Sequence, residues 1–220
     1  MSQRPHTVSG ILFDMDGVLV DSNPVHKRVI KQFCAGHGTS ISDDFFLENI
    51  SGRKNSEWIP MAFPDKSADE IERMADEKEE LFREVFDPAA AATPGLIRFL
   101  EALRGDAIPM VLATSAPGEN AVFVLDRLGI ADFFDAVLHS DHVTEGKPHP
   151  EIYIKAARAL DLSPGSCVVF EDSIAGVAAG LGAGARVVGV TGTHTREELG
   201  NCQMVIDDFK DIVPDDLRCL

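Results

Sequence analysis

Two carboxylates stand two residues apart at the end of an apolar run, where Ile11-Leu12-Phe13 gives way to Asp14-Met15-Asp16-Gly17. Acids placed just beyond a buried strand repel each other and lose hydration. They call for a metal site, a nucleophile with an acid/base partner, or both. Three more polar clusters punctuate the chain. Val111-Leu112-Ala113 runs into Thr114-Ser115, and Val168-Val169-Phe170 runs into Glu171-Asp172-Ser173. Lys147 is fixed between Gly146 and Pro148, just ahead of a helical segment. On one edge of a parallel sheet, four acids, a hydroxyl and a lysine fit phosphoryl transfer through a covalent intermediate. A carboxylate attacking phosphorus splits one hard step into two easier ones. Mg²⁺ held by oxygen ligands shields the incoming anion, while the hydroxyl and the lysine hold the equatorial oxygens. Each cluster alone has an ordinary reading: Ser173 is a good helix N-cap, Thr114 a loop hydroxyl, Lys147 a solvated charge. Capping does not explain acids at two strand ends.

The elements that must position these residues are legible as periodicity. Pro24 to Phe33 carries apolar residues at helical spacing, and Gly36-His37-Gly38 stops the helix. Further helical pieces span Asp43 to Ile50 and Ser56 to Met61, with Ser51-Gly52-Arg53-Lys54 between them. Ser67 and Glu70 form a capping box, and the helix it opens carries Ile71, Met74, Ala75, Lys78, Leu81, Phe82 and Val85 on one stripe. No strand pattern occurs between Asp21 and Ala92; Ala89 to Ala92 reads as a return linker.

From Pro94 onward helices alternate with short apolar strands. Strands are expected at Pro109 to Ala113, Ala136 to Leu138, Cys167 to Phe170, Arg186 to Val190 and Met204 to Ile206. Helices are expected at Gly95 to Leu103, Gly118 to Leu128, Pro150 to Leu160 and Ile174 to Leu181. This alternation implies parallel βαβ units with right-handed crossovers. The expected class is α/β, a Rossmann-like doubly wound parallel sheet formed by residues 1–21 and 93–220. An all-helical module, residues 22–92, is inserted after the first strand.

The charge of -16, from 20 Lys and Arg against 36 Asp and Glu, argues against a nucleic-acid partner. It leaves small phosphorylated metabolites open, since one Mg²⁺ and a few basic residues reverse a local potential. Cys34, Cys167, Cys202 and Cys219 show no C-x-x-C spacing and read as free thiols of a reducing compartment. The stretch Met1 to His6 is not followed by a signal-type apolar region, and the Ala/Gly-rich run from Ile174 to Val190 is short for a span and contains Arg186. A soluble cytoplasmic monomer without a membrane partner is expected.

Asp14-Met15-Asp16-Gly17-Val18, Thr114, Lys147-Pro148 and Glu171-Asp172 resemble, in order and spacing, the four motifs of the haloacid dehalogenase superfamily. The inserted module is similar to the helical cap domain of its β-phosphoglucomutase and sugar-phosphatase branch. The resemblance covers nearly the whole chain. It implies that Asp14 is the nucleophile and a Mg²⁺ ligand. Asp16 would bind the metal through its backbone carbonyl and exchange protons with leaving group and water. Thr114 would hold the phosphoryl oxygens, and Lys147 would neutralise phosphate and nucleophile. Asp172 would ligate Mg²⁺, with Glu171 in direct contact or one shell out. The backbone N–H groups of Met15 and Asp16, with Ser115, would contact phosphate.

Cap residues are open to two readings. His26 falls five residues after Asp21, where the mutase group has a histidine beside its acid/base aspartate, yet histidines commonly serve structure. Arg53 and Lys54 follow Gly52 in a cap loop that could meet an anionic substrate, or they are an exposed basic pair. His139, His142 and His149 lack zinc-ligand spacing. The acidic runs Asp76 to Glu80 and Asp207-Asp208 read as solvated surface.

The resulting expectation is a Mg²⁺-dependent phosphatase acting on a small phosphomonoester, such as a sugar phosphate. A phosphosugar mutase is the alternative. That branch carries Ser-Lys after the second motif and Gly-x-Ser-Arg in the cap loop, where this chain has Ala116-Pro117 and Gly52-Arg53-Lys54-Asn55. A dehalogenase would lack the second aspartate. A phospho-accepting receiver domain lacks Asp-x-Asp-Gly and a helical insertion, and a non-catalytic binding protein leaves the occupied motif positions unexplained.

Overall fold

The computed structural model describes residues 8–50 and 53–220, apart from the side chain of Cys219. The expectations for Met1 to His6, for Ser51 and Gly52, and for the Cys219 thiol therefore lie outside it. Six strands form one parallel sheet: β1 (Gly10–Phe13), β2 (Met110–Ala113), β3 (Ala136–Leu138), β4 (Cys167–Glu171), β5 (Arg186–Val190) and β6 (Met204–Ile206), in the order β3-β2-β1-β4-β5-β6. The chain steps outward from β1 in one direction and then returns to β4 on its other side. Ligands bind at such a reversal, beyond the carboxyl ends of the strands.

Successive strand residues face opposite sides, and the apolar pattern fills both. Ile11, Phe13, Leu112, Val168 and Phe170 pack with helices α5 (Leu96–Gly105) and α6 (Gly118–Leu128). Leu12, Val111, Val169 and Val187 pack with α7 (Glu151–Ala159) and α8 (Ile174–Gly182). Phe13 and Phe170 stack at 5.1 Å directly under the acidic ends of β1 and β4. Pairing Phe13 with both Leu112 and Phe170 sets Asp14 level with the ends of β2 and β4.

Between β1 and α5 come α1 (Asn23–Gly36), α2 (Asp43–Asn49), α3 (Asn55–Ala62) and α4 (Ala68–Val85). They share their own apolar cluster, built around Ile30, Phe33, Phe46, Trp58, Ile59 and Met74. The Ser67–Glu70 capping box is present. The two connections to the sheet run side by side: Asp21 N–H donates to Ala91 O (2.8 Å) and Thr93 N–H to Leu19 O (3.0 Å).

The α4 stripe differs from expectation. Val85 is exposed, whereas Lys78 and Glu79 are buried. The run Asp76 to Glu80 is therefore not simply solvated surface. The helix turns this pair toward the sheet edge, and paired burial of opposite charges replaces hydration. β4 also runs one residue further than expected, taking Glu171 into the sheet. Among the described residues, no helix is long and apolar enough to cross a membrane, and Cys34, Cys167 and Cys202 are free.

Candidate active site

The ends of β1, β2 and β4 and the loop before α7 bring Asp14, Thr114, Lys147, Glu171 and Asp172 together, all buried. Lys147 Nζ donates to Asp14 Oδ1 (2.7 Å), Glu171 Oε1 (2.6 Å) and Ala113 O (3.2 Å). An ammonium has three protons, and these bonds account for all of them. Tyr153 OH adds a bond to Glu171 Oε1 (2.7 Å). The other oxygen, Oε2, accepts from the backbone N–H groups of Asp172 and Ser173 and from Ser173 Oγ. Ser173 also caps α8 through Gly176 N–H, so the ordinary N-cap reading and the site reading hold together. Gly176 allows this approach, because a Cβ there would lie 1.8 Å from Glu171 Oε1.

Asp172 Oδ2 accepts from Thr193 Oγ1 (2.5 Å) and Asn23 Nδ2 (2.9 Å). Gly17 passes against the same oxygen at φ +79°, and a Cβ there would meet it at 1.9 Å. Both the left-handed backbone and the close approach therefore demand glycine.

The electrostatics follow from burial. Desolvation, reinforced by Glu171 and Asp16, pushes the Asp14 carboxyl from 3.8 up to about 7 against the pull of Lys147. Burial and the charges of Glu171 and Asp14 raise Asp172 well above the carboxylate range. Burial alone would lower Lys147, but Asp14 and Glu171 outweigh it and hold the ammonium above its usual value. One carboxylate oxygen from each of Asp14, Glu171 and Asp172 lies within 4.8 Å of the others. These hard oxygen donors, facing one ammonium among three acids, fit a divalent cation such as Mg²⁺. The saturated Glu171 carboxylate leaves Asp14 and Asp172 as the better direct ligands, with Glu171 orienting Lys147.

Asp16 faces the helical module instead. Its Oδ1 accepts from Ser22 Oγ (2.5 Å) and contacts His26 Nε2 (3.3 Å). Burial would raise its carboxyl, yet His26, Ser22 and Lys78 together hold it below the usual value. His26 stacks on Phe82 at 3.8 Å between ring centres, and Lys78 Nζ lies 3.2 Å from its Nδ1. An ammonium only donates, so the Lys78 contact makes His26 Nδ1 the acceptor and turns Nε2–H toward Asp16.

The cleft between sheet and module is lined by Asp14, Asp16, His26, Arg53, Thr114, Ser115, Lys147 and Asp172, so these expected residues converge. Met15 seals its side chain in the core and can serve only through its backbone. Lys54 is not part of this lining: its ammonium donates to Val143 O (2.7 Å) and bridges module to sheet. Asn55 bonds Glu79 Oε1 (2.6 Å) and Trp58 Nε1–H. Ser22, Asn23, Lys78, Glu79, Tyr153 and Thr193 join the site without a motif to mark them; Lys78 on the apolar stripe of α4 is the one sequence signal among them.

A parallel sheet whose order reverses at an acid-bearing strand, closed over by a helical module, defines an α/β enzyme built on a carboxylate centre. Residues 8–184 match the family model for haloacid dehalogenase-like hydrolases, and the chain belongs to that family. It is 33% identical over 185 residues to a phosphorylated carbohydrates phosphatase of Thermotoga maritima, covering 83% of this chain and 85% of that protein. It is 30% identical over 213 residues to the chloroplastic 5-amino-6-(5-phospho-D-ribitylamino)uracil phosphatase of Arabidopsis thaliana, covering 96% of this chain and 57% of that longer protein. Its fold matches the crystal structure of β-phosphoglucomutase from Clostridium difficile with a TM-score of 0.86 at 27% identity, covering 96% of each chain.

Proposed function

We propose that this hydrolase is a Mg²⁺-dependent phosphatase of small phosphomonoesters, a sugar phosphate being the favoured class, with residues 22–92 acting as its cap. The observation that carries the reading is the division of labour between the acids: Asp14 is bonded to Lys147, and Asp16 to Ser22 and His26 on the cap side. Phosphatase-named relatives support the reaction class.

In this mechanism the Asp14 carboxylate, held at Oδ1 by Lys147, attacks phosphorus. The new O–P bond forms as the ester P–O bond breaks, and Asp16 gives its proton to the departing alkoxide. The bound phosphoryl group supplies the negative charge that raises Asp16 into its acid state. In the second half Asp16 takes a proton from water, which attacks phosphorus and frees Asp14 and phosphate. Thr114 and Ser115 orient the phosphoryl oxygens. Mg²⁺, held by Asp14 and Asp172, would offset the charge that develops on the transferring group.

Phosphatase is favoured over mutase by Asn55. It stands where the mutases carry a cap arginine, and its amide is committed to Glu79 and Trp58. A second phosphate would meet that buried carboxylate. The test is release of inorganic phosphate across a panel of phosphorylated metabolites with Mg²⁺, and its loss in Asp14→Asn. Turnover by Asp14→Asn, or interconversion of β-glucose 1-phosphate and glucose 6-phosphate in place of hydrolysis, would overturn the reading. A cytoplasmic location accompanies this proposal, supported by the free cysteines.

A further inference from the structure

Lys78 and Glu79 are adjacent charges, 3% and 5% exposed, on a helix of the cap. Isolated, each would lose several kcal/mol of hydration. Glu79 is satisfied by three donors: Lys78 Nζ (2.7 Å) and Asn55 Nδ2 (2.6 Å) on Oε1, and Asn120 Nδ2 (2.7 Å) on Oε2. Of these only Asn120 belongs to the sheet domain, in the first turns of α6. Its amide is fully buried and held at its other end as well. Arg83, one turn beyond Glu79 on α4, donates from Nη1 to Asn120 Oδ1 (2.8 Å), and its Nη2 pairs with Glu119 Oε2 (3.0 Å). A carboxylate only accepts and a guanidinium only donates. Asparagine therefore answers both, whereas leucine would answer neither and aspartate would repel Glu79.

This clamp forms only with α4 seated against α6. Its far end is chemical: Glu79 holds Lys78, Lys78 sets the His26 tautomer, and His26 Nε2–H points at Asp16. We infer that Asn120 is a positioning residue, the sheet-domain receptor for Glu79 and Arg83 that couples seating of the cap to the proton exchange performed by Asp16. It touches neither substrate nor the reacting atoms. The inference rests on the phosphatase reading above.

The experiment compares kcat/KM for p-nitrophenyl phosphate, whose leaving group departs without a proton, with that for glycerol 2-phosphate, whose alkoxide needs one. In Asn120→Ala the alkyl ester is expected to lose about tenfold more than the aryl ester, as for a weakened general acid. Arg83→Gln, which keeps the Asn120–Glu79 bond, should shift the ratio the same way by a smaller factor. It carries the test if the alanine variant does not fold. Because each ratio is taken within one preparation, the fraction of active protein cancels. Equal losses on both esters, or no loss, would mean that Asn120 only glues the domains and would overturn the inference. A wild-type protein inactive on both esters would instead refute the phosphatase reading.

Discussion

Asp14→Asn tests the electrostatics of the site apart from its catalysis. The wild-type carboxyl is raised from 3.8 to about 7 by burial first and by Glu171 and Asp16 next. A folded state with the higher value binds the proton more tightly than the unfolded chain. Its relative stabilisation is complete below 3.8 and is lost as pH rises toward 7. One pKa unit corresponds to 1.36 kcal/mol. In metal-free protein the titration of Asp14 therefore costs the fold about 4 kcal/mol at pH 8 and about 2 kcal/mol at pH 5, where the folded carboxyl is still protonated and the unfolded one is ionised. Asparagine cannot ionise and keeps the size of the protonated acid. Between pH 5 and pH 8 the wild type should lose about 2–3 kcal/mol that the variant keeps, equivalent to roughly 5–10 °C in Tm for a chain of this size. Thermal unfolding in EDTA across that range reads the difference. Parallel Tm-against-pH curves for the two proteins would refute the reasoning, whatever happens to turnover.

Under the proposed coordination Mg²⁺ would compete with protons for Asp14 and Asp172, so millimolar Mg²⁺ should raise Tm more at pH 8 than at pH 5; an equal rise at both would place the cation elsewhere. Lys147→Ala strands the buried Glu171 carboxylate and should destabilise by about 3–5 kcal/mol, read by urea unfolding. Gly17→Ala forces a left-handed alanine costing about 1–2 kcal/mol before its clash with Asp172, and should also weaken Mg²⁺ binding measured by calorimetry.

Short apolar runs ending in acids located the strands, because burial on both faces leaves polar residues nowhere but the ends. Gly118–Leu128 and Ala136–Leu138 have the expected bounds. Periodicity ends β4 at Phe170, because an ionisable side chain inside the sheet is sustained by Lys147 and Tyr153, which arrive from elsewhere in the chain. Periodicity divides Lys78 and Glu79 between an apolar stripe and a solvated run, since their burial depends on Asn55 and Asn120, 24 and 41 residues from Glu79.

The chemistry is written in residue types and their order: acids, hydroxyl and lysine at the ends of apolar strands, which parallel pairing must bring to one edge. Packing in three dimensions sets how those groups are employed. It turned Glu171 toward Lys147, Asp16 toward His26, Lys54 toward Val143 and Asn120 toward Glu79. Periodicity fixes which face a residue occupies. The partner across the cleft is chosen by how α1 and α4 seat on the sheet domain, and that seating satisfies buried charges drawn from distant parts of the chain.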